Sequence, residues 1–225
     1  ATTEIYTLSL HDAFRSVKNT PGYATSSTAE LTLCLAIMLL RKIPQALTSL
    51  NHPCPFILGS ELKGKKVGVI GAGPIGLKVG QLFTSLDAEV VYFHYKPLNE
   101  SFLTQVPLER LLSTCDLVTL HIPLNGQTKG LLDQKKLSLC KKGAYLINTA
   151  RGGLVDQEAL LALARSGHFS GVALDVLTHE PPYGEKLLTD LPSNVILTPH
   201  IGYRTQEASS NKKQQALAYL RALTL

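Results

Sequence analysis

The sequence predicts an α/β protein built on a doubly wound parallel sheet, and three observations carry that expectation. From Gly64 onward, short apolar runs alternate with amphipathic ones. The first of the apolar runs feeds a glycine-rich turn, and that turn opens an amphipathic stretch. Such alternation is the pattern of strands covered by helices on both faces of a sheet. Strands are expected at 67–71, 89–94, 117–122, 144–149, 171–176 and 194–198. Helices are expected near 75–86, 107–113, 133–139, 156–166 and 205–222.

Bulk properties narrow the class. A chain of 225 residues buries a sizeable core, and 44% hydrophobic with 17% charged residues is a globular balance. The longest apolar run, Leu31–Leu40, is broken by Thr32 and is too short to span a bilayer. Cysteines at 34, 54, 115 and 140 lack paired metal-ligand spacing, so they read as buried thiols in a reducing compartment, and a cytoplasmic protein without a metal site is expected. The net charge of +5 comes with no basic run longer than two residues. This fits anionic small ligands and speaks against nucleic acid as a partner.

Ahead of the alternating region the signals differ. Ala1–Ala13 resembles one reading frame of a short-read sequencing adapter, and Phe14-Arg15-Ser16 continues it after loss of one base. Residues 1–16 are therefore expected to be a cloning or assembly artefact and are set aside. A break in genomic read coverage between the codons for Ser16 and Val17 is the check. Val17–Tyr23 reads as the end of a strand and a turn. Ser26, Ser27 or Thr28 is expected to cap a helix over 27–42 with Glu30 in its first turn. That helix is apolar nearly all round, which calls for burial against another domain or subunit. Residues 44–60, with Pro44, Pro53, Pro55 and Gly59, read as loop.

The glycine turn is the first functional signal. Val67, Val69 and Ile70 form a buried strand, and Gly71-x-Gly73-x-x-Gly76 follows with Pro74 and Ile75 opening a helix. Glycines here allow a tight turn, approach of backbone to a pyrophosphate, and close helix–strand contact. The helix N-terminus is left to hold the phosphate charge. In a site for unphosphorylated NAD, a carboxylate near the end of the second strand accepts from the ribose hydroxyls. This chain has His94 there, with Lys96 after it and no carboxylate before Glu100. His94 and Lys96 suit a 2′-phosphate, so NADP stands beside NAD as the expected cofactor.

Candidate chemistry gathers at later strand ends. Arg151 follows the fourth expected strand, Asp175 ends the fifth, Glu180 lies just beyond it, and His200 follows the sixth. Ligands of open α/β sheets bind outside the carboxyl ends of strands, so these residues fall along one edge with the glycine turn. Each of these residues has a bland reading by itself, and their joint position at successive strand ends is what marks them as candidate site residues.

The order and spacing of GAGPIG at 71–76, LHIPLNGQT at 120–128, INTARGGLVD at 147–156, ALDV at 173–176, HEPP at 179–182 and LTPHIGY at 197–203 are specific. On these motifs, the segment from Asn19 to about Arg221 resembles the cofactor-binding part of a D-2-hydroxyacid dehydrogenase. The turn at 19–23 and Tyr203–Ala208 are similar to glycerate dehydrogenases and hydroxypyruvate or glyoxylate reductases. The resemblance implies a Rossmann-type domain over 61–203 with helical remnants of a missing substrate domain at 17–60 and 204–225. It implies Arg151 as the binder of substrate carboxylate and carbonyl, His200 as acid/base, Glu180 as its partner and Asp175 against the nicotinamide amide. Further cofactor contacts are implied at Pro123, Thr128, Thr149, Ala150 and Gly202. It also implies a small 2-oxo acid substrate, a homodimer when full-length, and a chain that binds cofactor but turns over poorly by itself. A cofactor-sensing binding module, like the co-repressor branch of that superfamily, is the alternative.

Overall fold

Strand β1 (Lys66–Ile70) shows why the sheet forms where it does: four of its five residues are buried, so both faces must be covered. The computed structural model describes residues 19–51, 57–96, 103–180 and 190–223. The segment 1–16, Cys54, Glu100 and Pro181–Pro182 lie outside the described residues.

The chain enters through helices α1 (Thr25–Leu40) and α2 (Ile43–Thr48), then a 3₁₀ turn over Ser49–Asn51. After β1 come α3 (Pro74–Thr84), β2 (Glu89–Phe93), β3 (Thr104–Gln105), α4 (Leu108–Thr114) and β4 (Leu117–Leu120). Next are α5 (Gln134–Leu139), β5 (Tyr145–Asn148), α6 (Gln157–Arg165), β6 (Gly171–Leu174), β7 (Val195–Leu197) and α7 (Gln206–Leu223). The sheet order is β3-β2-β1-β4-β5-β6-β7, and every pairing is parallel. The order reverses between β1 and β4, and the glycine turn leaves β1 at that crevice.

Alternation along each strand feeds two cores. Ile70, Val118, Leu120, Leu146, Val172 and Leu174 point one way, into Leu111 and Leu112 of α4, Leu137 of α5 and Leu160 of α6. Val67, Val69, Leu117, Ile147 and Ala173 point the other way, into Leu35, Ala36 and Leu39 of α1 and Val79 and Phe83 of α3. Asp133 and Asp156 cap α5 and α6, their Oδ1 atoms accepting from Lys136 N at 2.8 Å and Ala159 N at 3.1 Å.

Several expectations need correction. Helix α1 starts two residues before 27 and ends at Leu40. No side chain caps it; the Ser27 hydroxyl donates back to Ala24 O at 3.1 Å and Thr28 turns to Gly202. On α1, Cys34 and Ile37 face away from the sheet, so Cys34 is an exposed thiol and not a buried one. Cys115 and Cys140 are buried as expected. The passage 44–60 contains α2, because Pro44 sits in a first helical turn where its missing N–H costs nothing. Edge strand β3 has two residues, too few to show a period.

Candidate active site

The glycine turn is shaped from within at two positions and open at a third. Gly71 has φ +101°, and a Cβ there would lie 2.4 Å from Ile122 Cγ2 and 2.5 Å from His121 O. A Cβ on Gly76 would fall on Gly71 O, so α3 packs directly on the turn. Nothing lies within 4 Å of a Cβ on Gly73, which stands at the N-cap of α3 without a side-chain cap. No side chain caps the positive end of α3, where Pro74 and Ile75 form the first turn and a side chain on Gly73 would meet nothing. These residues fit the pyrophosphate of a dinucleotide.

Along the same edge, His94 follows β2 with its Nδ1 3.4 Å from the Ala72 amide. After β4, the Thr128 hydroxyl donates to Pro123 O at 2.6 Å and accepts from Asn125 N at 2.8 Å, closing the 123–128 loop and leaving Pro123 at the surface. His121, part of whose surface reaches solvent, meets Thr119 Oγ1 at 2.9 Å; burial of its ring pushes the imidazole down to about 3, so it stands neutral. After β5, Thr149 Oγ1 meets Thr32 Oγ1 of α1 at 2.9 Å, and the Ala150 amide donates to Asn148 Oδ1 at 3.0 Å.

Arg151 opens the 3₁₀ turn Gly152–Leu154, its carbonyl accepting from Asn148 Nδ2 at 2.8 Å. A Cβ on Gly152 would sit 2.1 Å from the Leu177 carbonyl carbon, so the arginine loop lies tight against the exit of β6. Burial lowers the Arg151 pKa from its usual range, with the charges of Glu180 and Tyr23 pulling it back up.

His200 is half-buried and is held from three directions. Its Nδ1 lies 2.7 Å from Glu180 Oε2, and Glu180 Oε1 in turn accepts from Leu177 N at 3.0 Å. The Tyr203 ring meets the imidazole edge-on, with centroids 5.4 Å apart. The backbone of His200 is left-handed, with φ +53°. That strained loop is anchored by Asp175, which is 1% exposed. Its Oδ1 accepts from Thr198 Oγ1 at 2.6 Å and Ile201 N at 2.8 Å, and its Oδ2 from Gly202 N at 2.8 Å. Two lone pairs on each oxygen leave one acceptor position, on Oδ2.

Tyr23 was legible in the sequence only as part of a turn. Its hydroxyl is buried without a hydrogen-bond partner among the described residues. Burial and then Tyr203 raise its pKa, while Arg151 lowers it. Lys212 of α7 lies 5.6 Å above its ring, and Gln215 Nε2 donates to Pro21 O at 3.2 Å. The signal that exposes Tyr23 is three-dimensional: α7 folds back over the 19–23 turn. Among the described residues no group of three metal-ligating side chains occurs, and no helix is long and apolar enough to cross a membrane.

Sheet order and glycine turn define a Rossmann-type dinucleotide-binding domain, with a histidine–carboxylate pair on the same edge. The family model for the NAD-binding domain of D-isomer specific 2-hydroxyacid dehydrogenases matches residues 33–202, and the chain belongs to that family. It is 41% identical over 203 residues to the D-3-phosphoglycerate dehydrogenase of Pongo abelii, covering 86% of this chain and 37% of that protein. It is 37% identical over 207 residues to the glyoxylate reductase of Thermococcus litoralis, covering 85% of this chain and 62% of that one. A solved structure titled acyclic imino acid reductase (Bsp5) in complex with NADPH and D-Arg superposes with a TM-score of 0.86 at 32% identity, covering 96% of this chain and 70% of that one. The chain thus spans well under half the length of the phosphoglycerate dehydrogenase and less than two thirds of the glyoxylate reductase.

Proposed function

We propose that the whole protein is an oxidoreductase that moves a hydride between NAD(P)H and a small 2-oxo acid, giving a D-2-hydroxy acid. The observation that carries this reading is the Glu180–His200 pair at 2.7 Å on the edge that also holds Arg151 and the glycine turn. The turn residues Gly71–Gly76 hold the pyrophosphate, His94 the adenosine ribose, and the loops at Pro123–Thr128, Thr149–Ala150 and Gly202 flank the rest of the dinucleotide. The bound cofactor supplies the hydride that reaches C2 of the oxo acid.

Negative charge develops on the substrate oxygen as the carbonyl is reduced, so a proton donor and a fixed cation must face it. His200 donates that proton from Nε2, because Glu180 occupies Nδ1 at 2.7 Å and fixes the orientation of the ring. In the oxidative direction the neutral ring takes the proton back. Arg151 binds the carboxylate through its planar fork, and the unpartnered Tyr23 hydroxyl is a donor for the same oxygens. Asp175 acts through the loop that presents His200, with its remaining Oδ2 acceptor position left for the nicotinamide amide.

The domain boundaries at 60 and 204 and the small-acid substrate belong to this reading, with a second domain completing the site. Exposed Ile37, Ile43 and Leu47 support a homodimer through α1 and α2, and the free thiols of Cys34, Cys115 and Cys140 among the described residues support a reducing cytoplasm. The test is NAD(P)H oxidation driven by glyoxylate, hydroxypyruvate or pyruvate once the chain is joined to its substrate domain. Oxidation that needs His200 and Arg151 is expected; cofactor binding with no oxidation under any of these acids refutes the enzyme in favour of a cofactor-sensing module. The 225-residue chain alone is expected to bind cofactor and reduce these acids poorly.

A further inference from the structure

The end of β2 carries a second inference, which rests on the dinucleotide reading above and refines it. Where an unphosphorylated adenosine ribose is bound, a carboxylate at this point accepts from its hydroxyls. Here β2 ends at Phe93 and is followed by His94, Tyr95 and Lys96, which offer no carboxylate. The structure keeps His94 at the glycine turn. Its Nδ1 accepts from the Ala72 amide at 3.4 Å, and Gln105 Nε2 of the edge strand β3 donates to its carbonyl at 2.9 Å.

A neutral imidazole that accepts at Nδ1 carries its proton on Nε2, so the free nitrogen of this ring is a donor. It has no protein partner among the described residues. The Lys96 ammonium, two residues on, is exposed and has no ion pair among the described residues. A donor without a protein partner among the described residues thus stands beside the Ala72 amide of the glycine turn, and an exposed cation follows it two residues on. A ribose 2′-hydroxyl needs an acceptor at this place, whereas a 2′-phosphate dianion needs donors and positive charge.

We propose that His94 and Lys96 form a 2′-phosphate site, and that the chain selects NADP(H) over NAD(H). Binding of adenosine nucleotides tests this without any turnover. By titration calorimetry on the 225-residue chain, 2′,5′-ADP is expected to bind at least about tenfold more tightly than 5′-AMP, and NADPH more tightly than NADH by a similar factor. Lys96→Ala is expected to weaken only the 2′-phosphorylated ligands, and to reduce how steeply their affinity falls with salt. His94→Asp, at a half-exposed position, is expected to reverse the preference. Equal affinities for NADPH and NADH, or tighter NADH, overturn the proposal and leave the dinucleotide reading standing. Absence of binding by all four ligands overturns both.

Discussion

The two edges of the one sheet are built on opposite terms. At the amino edge, charge is paired and spent: Asp116 accepts from Lys66 N at 2.9 Å and pairs with Lys141 at 2.6 Å, and Lys66 pairs with Glu89 at 3.1 Å. At the carboxyl edge, the Tyr23 hydroxyl has no partner among the described residues, a Cβ on Gly73 would meet open space, and His200 sits in a left-handed conformation. An edge whose groups satisfy one another has nothing left to offer a ligand. The carboxyl edge spends its bonds instead on holding a few side chains in place. Asp175 and Glu180 commit three acceptor bonds and one acceptor bond to backbone and hydroxyl groups so that His200 and its loop stay fixed.

This contrast is sharpest where chemistry is removed. If the proposed activity holds for the whole protein, His200→Ala or Arg151→Ala lowers turnover by about 10²-fold or more, the scale of a lost acid or a lost charge clamp. Cofactor affinity should hold within a few-fold. Steady-state kinetics beside calorimetry reads both, and near-normal turnover in either variant would falsify the assignment of roles.

Within the glycine turn, two substitutions of the same size should part company. Gly76→Ala forces a Cβ onto Gly71 O and is expected to cost about 3 kcal/mol or more, or to prevent folding. Gly73→Ala meets open space, so denaturant unfolding should shift by less than about 0.5 kcal/mol while nucleotide affinity drops. Equal stability losses in the two would erase the distinction between a glycine needed for packing and one kept clear for a ligand.

Asp175→Asn keeps the shape but turns an acceptor toward a donor among two backbone amides. A loss of about 2 kcal/mol is expected by chemical denaturation, because buried donors lose an ionised partner. Turnover should fall further than stability alone explains, since the His200 loop loses its anchor. Thr198→Val, which removes a single bond, should give a smaller change in both.

The smallest effect belongs to the amino edge. Burial raises the Asp116 carboxyl, but the Lys141 ammonium and the Lys66 amide outweigh it and hold its pKa below the usual value of 3.8. A carboxylate lowered by folding adds stability above its unfolded pKa and loses it as pH falls through the folded one. Asp116→Asn should therefore cost about 1 kcal/mol at neutral pH, and the gap from the parent should close progressively below pH ~4. A gap that persists at pH ~2 would mean that packing, not charge, is what Asp116 supplies.

Much of the fold was legible because its signals are local. Val67–Ile70 and Leu117–Leu120 declare strands buried on both faces, and the turn at Gly71–Gly76 declares the crossover. The strands and helices of 64–223 fall within a few residues of expectation, apart from β3. Less legible were features decided by what lies across space. Thr28 looks like a helix-start residue and Thr32 like a mere break in an apolar run, but they bond to Gly202 and Thr149, far along the chain. Cys34 looked like a buried thiol because composition does not say which side of α1 meets the sheet.

The sequence by itself determined the parallel sheet, the nucleotide turn and the edge on which Arg151, Asp175, Glu180 and His200 would gather. Strand ends follow from local periodicity, and chain connectivity places all of them on one side. Only the tertiary structure decided that Glu180 meets Nδ1 of His200 and that Asp175 anchors the loop. Those are contacts of a few ångströms between residues 20 or more positions apart, and their geometry depends on packing that no local pattern encodes.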